Sequence, residues 1–218
     1  MKAKVLVWGL KVSKEFREKV DKISSFLGID ANWLMAAIAF ETAETFSPSV
    51  KNAAGSGATG LIQNMPRTAK HLLGTKTPEE AIEKLEKMTA EKQLDYVKKY
   101  FEPYKNKIKN LEDLYMAILW PSAVGKPLSY VLFSKFDNTG NKAYVQNKGL
   151  DLNGDGYITK AEAAEKVRQK YEKGLKYLYV DQSYLDEIAE AAVIKGPEIV
   201  NDEIAEAVFV TLDQPGHE

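Results

Sequence analysis

An all-α fold is the expectation for this 218-residue chain, on three observations. Apolar residues recur at helical spacing along most of its length, cap and stop residues bracket those segments, and strand signals are confined to Lys4–Val7. From Val12 to Leu27, residues Phe16, Val20, Ile23 and Leu27 form one stripe, with Ser13 as cap and Gly28 as stop. Asp30 caps a second helix from Ala31 to about Ala43. Residues 53–60, A-A-G-S-G-A-T-G, are too rich in glycine for a regular element and read as an ordered loop. Helices are expected next at Pro66–Leu72, Pro78–Leu85, Thr89–Phe101 and Leu111–Trp120, the last two closed by Pro103 and Pro121. A further helix is expected from Lys160 to Lys173.

The C-terminal part has a different character. D-E-I-A-E-A-A-V-I (186–194) returns sixteen residues later as D-E-I-A-E-A-V-F-V (202–210). Two acidic amphipathic helices in tandem fit this pattern, either as ordinary helix composition or as a duplicated docking hairpin. The division expected is therefore a domain over 1–175 and an acidic helical tail over 176–218. Charge divides in the same way: from Asp181 onward the balance is −9, and residues 1–180 carry +8. A basic body suits an anionic polymer such as nucleic acid, an anionic membrane surface or bacterial cell wall.

Several chemistries are excluded by composition. There is no cysteine, hence no disulfide framework and no thiolate site. Two histidines, His71 and His217, argue against a His-ligated zinc and against a Ser-His-Asp relay. No apolar run approaches the ~18 residues of a membrane span, and M-K-A-K-V-L-V-W-G-L-K has too short an apolar core for a signal peptide.

The segment D-L-N-G-D-G-Y-I-T-K-A-E, residues 151–162, fits an EF-hand calcium loop. Asp151, Asn153 and Asp155 offer side-chain oxygens, Gly156 the sharp turn, Tyr157 a backbone carbonyl, Thr159 the ninth position and Glu162 a two-oxygen clamp. Ile158 is the apolar residue that packs such a loop inward. Oxygen donors in this number suit Ca²⁺ better than Mg²⁺. A single loop of this kind reads as a structural clip, fixing the chain between Phe136 and the following helix, rather than as a sensor.

Glu41 ends the apolar run W-L-M-A-A-I-A-F. Leu34, Ala37, Ile38 and Glu41 share a helical face, so the carboxyl is expected at the edge of an apolar environment. Desolvation and the helix C-terminus both disfavour its charged form, which keeps a carboxylic acid protonated near neutral pH. A partly exposed terminal glutamate is the competing reading from position alone.

The residues after Glu41 separate these readings. E-T-A-E-T-F-S-P-S and G-A-T-G-L-I-Q-N-M-P resemble the lytic transglycosylase and goose-type lysozyme superfamily, and look closest to bacteriophage muralytic domains. The matching residues are Glu41, Thr42, Phe46, Pro48, Gly57-Ala58-Thr59-Gly60-Leu61-Ile62-Gln63 and Pro66. Across roughly residues 8–175 the resemblance implies a lysozyme-like helical domain. It also implies cleavage of the β-1,4 bond between N-acetylmuramic acid and N-acetylglucosamine in peptidoglycan, with Glu41 as general acid and then base. Thr42, Gln63 and Tyr115 are the implied sugar-positioning residues, with Gln63 and Tyr115 also hydrogen-bonding Glu41. The chain departs from the family pattern at Asn64, where an apolar or aromatic residue is usual, and at Met116, where asparagine often follows the tyrosine. Glu44 stands where small residues are usual, and is either a local peculiarity or an additional carboxylate at the cleft.

Cleavage has two outcomes. Attack by the muramic C6 hydroxyl gives a 1,6-anhydro product without a second carboxylate; hydrolysis usually wants one to hold water, for which Glu44 and Asp113 are the candidates. A calcium-stabilised phage binding or structural module that has lost catalysis is the reading from another class. Nucleic-acid binding has no recognised motif behind it. With no leader recognised, release by a holin, carriage in a virion or a dedicated export machine is expected to bring the enzyme to the wall. The acidic tail is the candidate docking element for the latter two.

Overall fold

The computed structural model describes residues 5–53, 55–137 and 142–195. Over these the chain is mainly α-helical: α1 Lys14–Leu27, α2 Ala31–Glu41, α3 Pro66–Leu73, α4 Pro78–Lys87, α5 Ala90–Phe101, α6 Leu111–Leu119, α7 Lys142–Asn147, α8 Lys160–Gly174 and α9 Gln182–Lys195. Local chemistry places most of these boundaries. The Ser13 hydroxyl accepts from the Phe16 amide (3.1 Å), and the Asp30 carboxylate from that of Asn32 (2.7 Å). Thr77, Thr89 and Asn110 cap α4, α5 and α6 in the same manner. Gly28 closes α1 at φ 72°, a left-handed conformation that glycine adopts without steric cost.

α2 is the central element. Every residue from Ala31 to Ala39 is buried, so the helix has no solvent face, as expected of a helix that is apolar all round. The one-face argument for Glu41 is therefore corrected: α2 is buried on every side as far as Ala39, and Glu41 is half-buried at its last turn. α1, α6 and α8 pack around α2 in a core that includes Phe16, Val20, Leu94, Phe101, Leu114, Met116 and Val167. α3 and α4 make a small satellite cluster around Ala69, Ala81 and Leu85.

Two antiparallel two-stranded ribbons, largely unanticipated, complete the body. β1 (Val5–Leu6) pairs with β4 (Tyr179–Val180), so the body continues beyond residue 175, where the sequence suggested a boundary. Arg17 lies 4.0 Å from the centre of the Tyr179 ring and fastens that junction to α1. The Val5–Trp8 stretch is core: the Trp8 indole N–H donates to the Lys170 carbonyl (2.8 Å) and the Val7 amide to the Asn32 side chain (2.8 Å). The second ribbon joins β2 (Val131–Ser134) to β3 (Tyr157–Thr159), with Phe133 opposite Ile158 and an irregularity between Val131 and Phe133. The first copy of the acidic repeat lies within α9; the second, 202–210, lies outside the described residues.

Candidate functional site

Glu41 is the last residue of α2 and is half-buried. Its carboxyl has no hydrogen-bond or cationic partner among the described residues, and burial pushes its pKa up to about 7. Desolvation acts here without a compensating charge, the arrangement that holds a carboxylic acid protonated near neutrality. The surroundings are aromatic. Phe40 meets the Tyr115 ring edge-on at 5.5 Å, and the phenols of Tyr115 and Tyr100 are both close enough to feel the Glu41 charge, which raises their pKa values further beyond the effect of burial. Tyr100 donates to the Ala117 carbonyl (2.8 Å), tying α5 to α6 behind the site. Sequence reading missed Tyr100, although Tyr96 and Tyr100 lie one four-residue step apart on α5.

The chain just beyond Glu41 is unusually wound. Ala43, Glu44 and Phe46 take φ values of 49°, 69° and 54°, and Gln63 takes 48°. Left-handed backbone at non-glycine residues costs free energy and tends to gather at functional sites. Thr42 holds this turn. Fully buried, its hydroxyl donates to the Ile38 carbonyl (2.7 Å) and accepts from the Phe46 amide (3.1 Å). Thr42, expected to contact sugar, has no exposed surface in this structure and its hydroxyl pins the turn. Phe46 packs against Trp8 and Phe16, while Trp120 meets Phe133 and stays partly exposed.

Gln63 also works inward. Its amide nitrogen donates to the carbonyls of Val50 (3.0 Å) and Gly60 (3.1 Å), bracing the glycine-rich loop rather than bonding Glu41. That loop is pinned from below by Gln93, which the sequence did not single out. Gln93 accepts from the Leu61 amide (2.6 Å) and donates to the carbonyls of Pro48 (3.0 Å) and Leu85 (3.2 Å). Gly60, at φ 90°, is required for this: a Cβ there would lie 2.3 Å from the Gln93 amide oxygen. At this position the glycine serves the Gln93 tether rather than close approach to a ligand. Gly60→Ala is expected to destabilise the protein by about 2–4 kcal/mol, read as a lower urea midpoint with an unchanged slope. Asn64, the first departure from the family pattern, is buried with neither of its amide atoms partnered among the described residues.

The two candidates for a second carboxylate are both engaged. Glu44 is clasped by Lys170 and by Lys173 (2.6 Å), which hold its carboxyl below the usual range. Asp113 is buried against the Lys160 ammonium (2.5 Å) and accepts two backbone amides, Gly125 (2.7 Å) and Lys109 (3.1 Å). Both are therefore already paired with lysine. Glu41 is the carboxyl near the aromatic cluster that lacks a partner.

The 151–162 segment forms a tight, internally hydrogen-bonded turn. The Asp151 carboxylate accepts from the amides of Gly154 (2.8 Å) and Gly156 (3.1 Å), and from the Tyr144 hydroxyl (2.6 Å), which lowers its pKa. Asn153 accepts from the Asp155 amide and Asp155 from that of Tyr157, both at 2.8 Å. Gly156 sits at φ 90°, the sharp turn that the sixth position requires. Thr159 caps α8, and one oxygen of Glu162 closes a capping box on it (2.9 Å to the Thr159 amide). The other oxygen, Oε1, is buried with no partner among the described residues. A carboxylate oxygen left without a partner among the described residues at the clamp position, together with the side-chain oxygens of Asp151, Asn153 and Asp155, is a donor set of the kind a hard divalent cation takes. No three acidic or histidine side chains converge among the described residues, and an EF-hand-type set also uses Asn153 and the Tyr157 carbonyl. The end of the segment, β3, pairs with β2.

No single helix among the described residues is long and apolar enough to cross a membrane. No family model matches this chain and no curated protein matches it, so its reading rests on the chemistry of Glu41 and the loop.

Proposed function

We propose that this protein cleaves peptidoglycan glycan strands at the β-1,4 bond between N-acetylmuramic acid and N-acetylglucosamine, with Glu41 as the general acid. The observation that carries the proposal is the unpartnered, desolvated Glu41 carboxyl with its pKa raised to about 7, set beside Phe40, Tyr100 and Tyr115. Such a group can protonate a glycosidic oxygen and then take a proton back. The motif resemblance around Glu41 and Gly57–Gln63 supplies the substrate class.

The engagement of Glu44 and Asp113 by lysines favours the 1,6-anhydro route, in which the C6 hydroxyl of the muramic residue attacks C1 and Glu41 accepts its proton. Ca²⁺ on the 151–162 loop is proposed as a structural ligand held by Asp151, Asn153, Asp155, Tyr157, Thr159 and Glu162. The acidic segment is proposed to dock to a virion or secretion-machinery partner. Its truncation should come after Val180, since β4 belongs to the body.

The test is digestion of purified sacculi, with released muropeptides read by mass spectrometry. Anhydro products, one water lighter than reducing-end products, are expected. Reducing-end products would make the enzyme a hydrolase and reopen the source of its water. No release with Ca²⁺ supplied would leave a calcium-stabilised binding module.

A further inference from the structure

The 151–162 loop and Glu41 lie on different elements, and a buried ion pair lies between those elements. Lys160, the tenth residue of the loop, is 1% exposed, and Asp113, in the first turn of α6, is 2% exposed. Lysine is almost never this deeply buried without a partner. Its ammonium donates to Asp113 (2.5 Å) and to the Lys126 carbonyl (2.8 Å). Asp113 in turn accepts the amides of Gly125 and Lys109, and its own amide is capped by Asn110 (2.8 Å). One charge pair thereby joins the end of the loop, the start of α6, the chain before it and the turn at residues 125–126. Backbone bonds at the same place, Lys160 amide to Tyr130 carbonyl (2.8 Å) and Ala161 amide to Leu128 carbonyl (3.0 Å), fix the loop's exit.

An apolar pair of similar volume could fill this space at no loss of stability. What the ion pair adds is position. Lys160 follows Thr159 and lies two residues before Glu162, whose carboxylate has one buried oxygen without a partner among the described residues. Two residues past Asp113, Tyr115 stands against Phe40, the residue before Glu41. We infer that Lys160 and Asp113 are positioning residues: a strut through which a divalent cation on the 151–162 loop stiffens the helix that holds Tyr115 against the Glu41 site. The inference rests on the calcium reading of that loop and is independent of which glycan bond is cut.

Hydrogen exchange of the full chain, followed by mass spectrometry with calcium chloride or with a chelator, tests it. In the wild type, calcium is expected to slow exchange at least about fivefold in peptides covering 151–162 and also in those covering 111–119. In the paired variant Asp113→Leu with Lys160→Met, the loop should keep its calcium protection and α6 should lose its own. Asp113→Asn serves as a second, nearly isosteric variant. Glu162→Gln should weaken both responses together. Protection confined to 151–162 in the wild type overturns the strut, as does α6 protection that survives in the paired variant. No calcium response even at 151–162 overturns the calcium reading and the strut with it. The wild-type comparison separates these outcomes even if a variant does not fold.

Discussion

Glu41→Gln is expected to lower the rate of glycan cleavage by about 10²–10⁴-fold, the usual contribution of a positioned general acid. Glutamine keeps the shape of the carboxyl but has no proton to give, so binding to sacculi should survive while turnover falls. The wild-type activity should follow the protonated fraction of Glu41: high at acidic pH, halved near pH 7 and falling tenfold per pH unit above it. A rate that rises through pH 7 instead would mean the group works first as a base. Stability carries the same signature. A carboxyl whose pKa is higher folded than unfolded binds its proton more tightly in the folded state, so stability is fully present below about pH 4.5 and declines up to about pH 7. Above that range the cost is constant, at most about 3 kcal/mol. Glu41→Gln should therefore be the more stable protein at pH 8 and gain nothing at pH 4, a difference that urea titrations at the two pH values would show.

Asp113→Ala is expected to cost about 3–5 kcal/mol and to lower Tm by about 10 °C. The loss exceeds that of an exposed ion pair because the Lys160 ammonium is left in the interior, and the amides of Gly125 and Lys109 lose their acceptor. The paired replacement with Leu and Met should recover most of this, since it removes the buried charge together with its partner. An Asp113→Ala protein as stable as wild type would mean that water replaces the carboxylate. The buried pair would then have no structural weight.

Helix positions were readable in advance because their signals are local. Ser13, Asp30, Thr89 and Gly28 act on amides and carbonyls within a few residues, and the stripe Phe16–Val20–Ile23–Leu27 needs only the helical period to be recognised. The loop at 151–162 was legible for the same reason: Asp151, Asn153, Asp155 and Gly156 bond within their own turn. The ribbons were not. Tyr179–Val180 becomes a strand only because Val5–Leu6 lies beside it, and nothing in either dipeptide names the other. α7, only six residues long, was not anticipated either, because so short a segment carries too little of the helical period to be recognised.

The candidate site divides along the same line. Glu41 could be picked out from its place at the end of an apolar run, because desolvation follows from the neighbours along the helix. Side-chain partnerships could not be read. Thr42 and Gln63 turn their polar atoms inward, Glu44 reaches Lys170 and Lys173, and Asp113 reaches Lys160, in each case a choice made by packing. Tyr100 and Gln93 enter only when α5 is laid across the glycine-rich loop and α6. Composition, period and short-range hydrogen bonding thus account for the helices and for the internal bonds of the 151–162 turn, and they point to Glu41 as the candidate carboxyl. Which carboxylates are neutralised by lysine and which is left bare depends on distances between residues far apart in the chain, and these exist only once the core has closed around α2.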